Sequence, residues 1–575
     1  MAIIKLDPTG SGAIFKDGEP FIAGGLNGNL RSYYTDVNEV SLGYNTGEVI
    51  IREFESNFRD KDNQPFANRA AILAYVQLNF KIGGCGNPEI LPMPVFGTVT
   101  KDENSFTVPI TNRPDGAAVV WTVDSVIDSE TGDTLSKSGL EPDTDYEVTA
   151  KFTKAGAIDS QVGTIEITTD AEDEPLEPAS YGRTFTLPVE SGQIFFDGEN
   201  FSDSGNPVTL QDKDLFIIPP GNYSYIEIKN INMPAGQRVY FKNGNGLVNF
   251  DGSFKSIEVR DVDGCTILGN GSGSHPKGFL FQNTVTRSIK VENINNFTFA
   301  YMEFNTGGED YCIFDETNKV YNPSNPSTWS ENVLFTRIKH TNSGQLTYFP
   351  GGFDNASDTQ LYNIKKNWTV NYCEFNNSDA GSYVSIRGAE DFHAHHLVFN
   401  NINPTNSVHS GLIFIEGNGK VHDCYANTYQ GNFVRYWNYN ISAGANRIAE
   451  VYNNKAYNSR MYSAFEISPQ FWMYSNENLY HPCNFKVHHN TAGLMNTENY
   501  FVGRVLDVYN FPGATGEFYN NLGFQLDDDQ LINYASDTGA EGFTDISNNL
   551  YFTTAAAAVD NTTDLNSLHA GVGAP

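Results

Sequence analysis

A short motif that recurs nine times in the C-terminal two-thirds of the chain constrains its fold more than any other feature. Each copy begins with an apolar residue, continues with two mostly polar or aromatic residues, and usually has Cys, Asn or an aliphatic residue fourth. The copies lie at Phe299–Phe304, Phe335–Ile338, Val370–Phe375, Ala394–Phe399, Val421–Ala426, Val451–Ala456, Val487–Ala492, Phe518–Gly523 and Ile546–Tyr551. The steps between their first residues are 36, 35, 24, 27, 30, 36, 31 and 28 residues. Such a drifting repeat is typical of a solenoid whose coils share a core but differ in loop length.

The copies have strand composition and no helical periodicity, so they predict a parallel β-helix. It should begin near Tyr181 and have eleven or twelve coils, roughly 50–60 Å in length at about 4.8 Å per coil. Val421, Val451 and Val487 should then be buried in a single file. The fourth motif position is Asn in the last four copies, which predicts an internal ladder of stacked amides. These are Asn454, Asn490, Asn521 and Asn549.

The charge of the chain limits its partners. It has 36 Lys and Arg against 69 Asp and Glu, which gives a net charge of −33. A chain this acidic is expected to repel nucleic acids and anionic membrane surfaces. No stretch has the length of a transmembrane helix, and the first residues lack the basic and apolar regions of a signal peptide. We therefore expect synthesis in the cytoplasm and no membrane insertion.

The six cysteines are widely spread and include no CxxC pair, which argues against a zinc ribbon. Cys373 and Cys424 occupy the same motif position, with Leu397 between them in the stack. We predict that both are small buried hydrophobic residues, since two coils separate them too far for a disulfide.

The remaining sequence divides into modules. Residues 1–84 read as a small α+β module with a helix over Asn68–Phe80. Residues 85–170 read as a β-sandwich, 171–183 as an extended acidic linker with two prolines, and 184–575 as the β-helix with a C-terminal cap.

Three segments resemble known families. Leu140–Ala150 matches every fixed position of the fibronectin type III signature, which implies a sandwich in which Tyr146 forms the tyrosine corner. Phe58–Phe66 and the helix after it resemble docking modules at the front of tailed-phage virion proteins; a small domain without a particular role is the alternative. Leu215–Tyr223 resembles the first coil of pectin-lyase-like β-helices.

Over about 390 residues the chain thus resembles the right-handed parallel β-helix superfamily, and within it the phage tailspikes. The resemblance implies a homotrimer and a polysaccharide partner. It includes no catalytic signature, so it assigns no catalytic residue.

One column of the predicted stack is the candidate site. It follows the strands at Tyr383–Arg387, Leu412–Glu416, Phe433–Trp437 and Ala464–Ser468, and alternation places every second side chain outward. Sugars stack on aromatic rings and bind charged groups through their hydroxyls, which favours a glycan-binding face. Its predicted glycan-binding residues are Arg387, Phe414, Arg435 and Trp437. Alternatively, Arg387–Glu416 and Arg435–Glu466 are ladder ion pairs and Trp437 is covered by a loop or a partner chain.

Hydrolysis would need two carboxyl groups flanking a sugar, whereas a lyase would need a base and charge neutralisation, often by Ca²⁺ or Arg. Glu416 and Glu466 are the catalytic candidates, at an expected separation of 9–10 Å over two coils. Further candidates in neighbouring loops are Asp310, Asp315, Asp391 and Asp507.

Two metal sites are weaker hypotheses. His395, His396, His422 and Asp423 come together on adjacent coils and could bind one ion, with stacking of the rings as the alternative. Asp527–Asp529 could bind Ca²⁺, with an acidic turn as the alternative. No other cofactor is expected.

We therefore predict a virion attachment protein of tailspike type. Residues 1–84 would dock to other virion proteins, and the β-helix would bind a host cell-surface polysaccharide. The alternatives are a polysaccharide lyase or glycosidase that uses the same groove, and a purely structural virion component.

Overall fold

The structure is a computed structural model, and it describes short stretches within residues 1–89 and most of residues 90–574. The gaps after residue 90 are 98, 102–104, 125, 139, 141–144, 156, 170–174, 253–255, 271–276, 284–286, 308–310, 353–359, 380, 404, 406–408, 443–445, 469–479, 512, 535–541 and 570. The helix predicted over 68–80 and Cys85 lie mainly or wholly outside the described residues. The chain divides into two compact units, Met1–Asp173 and Glu174–Pro575.

Two antiparallel sheets in the first unit form a sandwich with one hydrophobic core. Phe106 and Leu135 of one sheet pack with Trp121, Val148 and Phe152 of the other, and all five are buried. The four-stranded sheet consists of Val126–Ile127, Ala118–Val123, Asp145–Thr153 and Gly163–Thr168, and the three-stranded sheet of Thr134–Ser138, Ser105–Pro109 and Thr100–Lys101. The tyrosine corner at Tyr146 stays a prediction.

The described strands before the sandwich belong to two small sheets. One has the order Glu19–Pro20, Ala13–Lys16, Ile4–Asp7 and Phe58–Arg59, and the other pairs Ser41–Leu42 with Val49–Ile50.

The second unit is a parallel β-helix, as the motif predicts. Each coil contributes up to three strands, which define three faces of the rod in chain order. The first face consists of Gln193–Asp197, Tyr225–Asn232, Ile257–Leu268, Ile289–Ala300, Tyr311–Asp315, Gln345–Phe349, Val384–His395, Gly411–His422, Asn432–Asn438, Phe465–Ile467, Leu506–Val508 and Ile532–Tyr534. The second face adds Thr184–Thr186, Leu215–Ile218, Val239–Asn243, Trp329–Thr336, Ile364–Asn371, Ile448–Tyr452, Asn484–His488, Gly516–Tyr519 and Phe543–Ser547. Four long strands run through both faces, which therefore join in one 21-stranded sheet.

The third face is a separate sheet of 12 strands, which confirms the predicted number of coils. Its strands are Gly221–Tyr223, Val248–Asp251, Phe279–Gln282, Met302–Asn305, Lys339–Thr341, Glu374–Ser378, Val398–Ile402, Tyr425–Tyr429, Lys455–Ser459, Thr491–Gly493, Leu522–Phe524 and Leu550–Phe552. The remaining elements are a hairpin of Ser202–Asp203 and Asn206–Pro207, a 3₁₀ turn at Pro326–Thr328 and a helix at Ala555–Ala558 near the C-terminal end.

The recurring motif is the turn from the second face to the third. Its first residues pair in register from coil to coil, and Val421, Val451 and Val487 are buried in one file as predicted. The third residue of every copy has a positive φ, between 50° and 61°. These residues are Tyr301, Arg337, Tyr372, His396, Asp423, Asn453, His489, Asn520 and Asn548. A single left-handed residue reverses the side-chain alternation and turns the chain sharply, so the motif encodes a corner of the rod.

The predicted asparagine ladder is confirmed at this corner. The side-chain amide of Asn454 donates to that of Asn490 at 3.0 Å, Asn490 donates to Asn521 at 3.0 Å, and Asn521 donates to Asn549 at 3.1 Å. The first three of these side chains are completely buried. Stacked amides satisfy one another's hydrogen-bonding groups in an interior that water does not reach.

One continuous hydrophobic core fills the rod. Cys373 and Cys424 lie in it without a disulfide, which confirms their predicted role as small buried hydrophobic residues. On the inner side of the third face, aromatic rings from successive coils stack on one another. In this column the ring of His340 lies between those of Phe304 and Phe375. No helix among the described residues is long and apolar enough to span a membrane.

Candidate functional site

The first face places the predicted site residues in two adjacent outward columns. Strand register aligns Phe414, Arg435, Glu466 and Asp507 in the first column. Arg387, Glu416 and Trp437 form the second, two residues further along each strand. The predicted alternation of inward and outward side chains is therefore correct.

The burial of these residues differs from the expectation of an open face. Phe414 is only 7% exposed, and Glu416 and Glu466 are each 1% exposed. Trp437 is half-buried and packs on a cluster of apolar residues that includes Tyr439 and Tyr480. The expectation that Phe414 is an exposed ring is wrong.

The guanidinium groups of two arginines lie near the ring of Phe414. Arg387 lies between Tyr348 and Phe414, with 5.7 and 5.8 Å from its central carbon to the two ring centroids. Arg435 lies over Phe414 at 5.8 Å and over Trp437 at 5.5 Å. Cations stack favourably on aromatic faces, so these contacts stabilise the buried position of Phe414. The glycan-binding roles of Arg387, Arg435 and Trp437 stay predictions.

The predicted ladder ion pairs are present. Arg387 Nε lies 3.1 Å from Glu416 Oε1, and Arg435 Nε lies 2.8 Å from Glu466 Oε1. Glu416 and Glu466, however, stand two coils apart in different columns, so their Cα atoms are about 12 Å apart. The expected separation of about 9–10 Å assumed a single column, whereas the register places the two residues in different columns.

A closer carboxyl pair is Glu466 and Asp507. The two residues are register partners on adjacent coils, and each is 1% exposed. Asp507 was only a secondary candidate in the sequence because no spacing showed that it continues the column of Glu466.

The surroundings of the two carboxyl groups push their pKa values apart. Burial raises the pKa of Glu466, but hydrogen bonds and charge from His409 and Arg435 outweigh burial and hold that pKa below its ordinary value. Burial raises the pKa of Asp507 to about 7, although hydrogen bonds from Asn533 and Ser463 oppose the rise; the charge of Glu466 adds to it. Near neutral pH the pair therefore consists of an ionised Glu466 and an Asp507 that exchanges a proton.

His409 lies beside the carboxyl pair of Glu466 and Asp507. Its Nε2 lies 3.0 Å from Glu466 Oε2 and 3.0 Å from Asn432 Oδ1. Because both neighbours are acceptors, Nε2 carries a proton. The ring stacks on Tyr462 with 3.9 Å between centroids.

Two exposed aromatic rings lie near His409 and the carboxyl pair. Tyr500 is 64% exposed and Phe501 is 43% exposed, and the Phe501 ring lies 5.3 Å from that of Tyr462. The side-chain oxygen of Asn496 accepts hydrogen bonds from the backbone N–H groups of Tyr500 and Phe501, at 3.0 and 3.3 Å. Asn496 in turn donates to Asp527 at 2.8 Å. A buried amide thus fixes the backbone that carries these two exposed rings.

We call Arg435, His409, Glu466 and Asp507, with the rings of Tyr462, Tyr500 and Phe501, the acid pocket. Sequence reasoning missed His409, Tyr462, Tyr500 and Phe501, because all four come from loops that carry no repeat. The Tyr500–Phe501 pair directly before the strand Leu506–Val508 was the one available signal.

The histidines that were predicted to bind a metal take part in a stack of rings. His395 and His422 are parallel with 5.1 Å between centroids, and Tyr452 continues the stack at 4.7 Å. His422 Nδ1 is 2.7 Å from Asp423, and His395 Nδ1 is 2.9 Å from that of His396. Among the described residues, no three metal-ligating side chains converge. The stacking that was given as the alternative is observed, and metal binding at these residues stays a prediction.

The other acidic candidates have protein partners. Asp527 accepts from the backbone N–H of Gly503 at 2.7 Å, and Asp528 pairs with Arg504 at 2.8 Å. These contacts describe an acidic turn, and Ca²⁺ binding at Asp527–Asp529 stays a prediction. Asp315 pairs with the buried Lys365 at 3.2 Å, and Asp391 pairs with Arg447. Asp310 lies outside the described residues.

Comparison with known proteins adds little. No protein-family model and no curated protein matches the chain. Its fold is similar to that of a family 28 exopolygalacturonase from Yersinia enterocolitica, which is 12% identical and matches with a TM-score of 0.19 over 80% of this chain and 99% of the other. It is also similar to the pectate lyase Pel9A, which is 12% identical and has a TM-score of 0.29 over 67% of this chain and 89% of the other. A galactohydrolase that acts on a sulfated galactose and anhydrogalactose polymer is again 12% identical, with a TM-score of 0.31 over 70% and 99%. At these scores the neighbours carry no information about the chemistry of this chain.

Proposed function

We propose that this chain is a phage host-attachment protein that binds a cell-surface polysaccharide on the first face of its rod. The observation that carries the proposal is the acid pocket, where exposed rings stand beside buried groups that donate and accept hydrogen bonds. Carbohydrates have apolar C–H faces and hydroxyl edges, so they need both kinds of partner. Sites that bind small polar ligands typically combine apolar walls with a few placed polar groups.

The other parts of the chain fit this role. Residues 1–84 would dock to other virion proteins, and the sandwich, which we propose to be a fibronectin type III-like module, would act as a spacer. The tailspike resemblance further implies a homotrimer, which sedimentation of the intact chain tests.

Binding to purified host surface polysaccharides tests the attachment function. We expect Tyr500→Ala combined with Phe501→Ala to weaken binding about tenfold or more, which corresponds to about 1.4 kcal/mol. The matched control is Phe195→Ala, which removes another exposed ring from the far end of the first face. Absence of binding to any host surface glycan would favour a purely structural virion component.

A second candidate function is cleavage of the bound polysaccharide. It is favoured by one observation, the separated pKa values of Glu466 and Asp507 beside His409, because acid–base catalysis needs one proton donor and one acceptor. In this hypothesis Asp507 donates a proton to the leaving oxygen. Glu466 acts as base or holds His409 in place as the base.

Release of reducing ends from host polysaccharide tests cleavage, and ultraviolet absorbance of unsaturated products separates a lyase from a hydrolase. We expect Glu466→Gln and Asp507→Asn to remove turnover and to spare binding. Glu416→Gln is the matched control, since Glu416 is equally buried and also pairs with an arginine. Equal loss of turnover in all three variants would show a general effect on folding and would refute the assignment.

A further inference from the structure

The basic side chains on the first face are paired within the protein. Every described lysine and arginine whose side chain lies on the outer side of this face has a carboxylate within ion-pair distance. The pairs are Lys229–Glu227 at 2.7 Å, Arg260–Glu227 at 2.8 Å, Arg287–Glu316 at 3.3 Å, Lys290–Glu316 at 2.8 Å, Arg387–Glu416 at 3.1 Å, Arg435–Glu466 at 2.8 Å and Arg504–Asp528 at 2.8 Å. Glu227 and Glu316 each serve two of these cations, and Glu258 and Glu292 also lie within ion-pair distance of Lys290. Each of these seven cations therefore already has a carboxylate partner.

This pairing makes one class of polymer a better ligand for the face than another. A polyanion would have to break these pairs, and it would approach a chain whose net charge is −33. Long-range repulsion lowers the association rate of such a ligand, and loss of a partly buried ion pair weakens the complex. An uncharged polymer meets neither barrier, because its hydroxyl groups can form hydrogen bonds with these charged side chains while the ion pairs stay intact.

We infer that the ligand of the acid pocket is an uncharged polysaccharide, a neutral hexose of which stacks on Tyr500 and Phe501. The inference rests on the proposed glycan-binding function and names its substrate class. The geometry is continuous from ring to acid pair: Phe501 contacts Tyr462, Tyr462 stacks on His409, and His409 lies 3.0 Å from Glu466. A sugar held on the exposed rings therefore has its hydroxyl edge directed to the imidazole and the arginine of the pocket.

A glycan array of purified bacterial surface polysaccharides, half neutral and half anionic, tests the inference with the intact chain. We expect the bound members to be neutral. Their dissociation constants should change less than about twofold between about 0.05 M and about 0.5 M NaCl, because an uncharged ligand releases no counterions and its binding is not screened. The double variant Tyr500→Ala, Phe501→Ala should lose binding about tenfold, and Phe195→Ala should not.

The outcomes separate this inference from the attachment function. Strongest binding to anionic members, with a steep dependence on salt, would overturn the neutral class and leave glycan attachment intact. Neutral binding that is unchanged in the double variant would refute the ring platform. If no polysaccharide binds, the proposed function falls and the inference falls with it. Thermal unfolding of each variant confirms that the rod is folded.

Discussion

At the scale of single residues, surroundings rather than residue type determine what a carboxyl group does. Glu416, Glu466 and Asp507 are all nearly inaccessible to solvent on the same face. Glu466 has a guanidinium and an imidazole beside it, whereas the hydrogen bonds of Asp507 come from the neutral side chains of Ser463 and Asn533. A buried carboxylate without a cation has a raised pKa, which is the difference that the cleavage hypothesis uses.

The raised pKa of Asp507 predicts a pH-dependent stability. Its pKa is about 7 in the folded chain against an ordinary value of 3.8, so the folded state binds more protons between these two values. Stability therefore falls as the pH rises from about 4 to about 7, by on the order of 4 kcal/mol, and the full cost persists above that range. Asp507→Asn keeps the acceptor and cannot ionise. We expect it to raise the unfolding temperature by several degrees at about pH 8 and by less at about pH 5.

Thermal unfolding across this pH range checks the prediction. Asp203→Asn, in an exposed hairpin, is the matched control and should leave the unfolding temperature nearly constant. If the stability difference between Asp507→Asn and the parent chain is the same at every pH, Asp507 does not titrate in this range.

At the scale of elements, the sequence predicts the corner of the rod well because physical constraints there are local. The third motif residue must adopt a left-handed conformation, which Asn and Asp tolerate best, and three of the last four copies use Asn at this position. The fourth residue points into the core, where Cys, Leu and Asn each solve the same packing problem. The strand order and the inward file of valines follow from this one corner.

The covering of the first face could not be predicted in the same way. His409, Tyr462 and Phe501 come from connections of different length, and nothing in their local sequence indicates which strand they contact. The sequence also could not show that Arg387 and Arg435 both contact the ring of Phe414. Contacts between a strand and loops that are distant in sequence form only when the coils are assembled. The two side-chain columns of the first face were therefore predictable from the sequence, but the solvent exposure of their residues was not.

The asparagine ladder should be a cooperative element. Asn490 accepts hydrogen bonds from the backbone and side chain of Asn454, each at 3.0 Å, and donates to Asn521 and to the Val451 carbonyl oxygen at 2.9 Å. Asn490→Ala would leave several buried groups unpaired, at a cost of about 1–3 kcal/mol each. We expect it to lower the free energy of unfolding by about 3–5 kcal/mol, as chemical denaturation would measure.

Position in the ladder provides the control. Asn549 stands at the end of the ladder, is half-buried, and donates to the Phe518 carbonyl oxygen. Asn549→Ala should therefore cost about 1–2 kcal/mol. Equal costs at the two positions would show that the amides act independently rather than as a ladder.

At the scale of the whole molecule, two cores are built separately. The sandwich core draws on residues from Leu91 to Ile167, and the rod core on residues from Leu187 to Ile532. In a solenoid each coil is stabilised by its neighbours, so the rod needs no contribution from a preceding module. The attachment hypothesis makes the same division of labour, with docking in one unit and recognition in the other.

This division predicts that the fragment Glu174–Pro575 folds and recognises its ligand alone. We expect calorimetry of the intact chain to show separate transitions for the two units, with the rod transition at the same temperature in the fragment. The fragment should bind the polysaccharide with a dissociation constant within about twofold of that of the intact chain, because every residue of the acid pocket lies within it. Unfolding of the fragment at a markedly lower temperature would show that the first unit stabilises the rod. Retained folding with lost binding would instead place part of the recognition surface in residues 1–173.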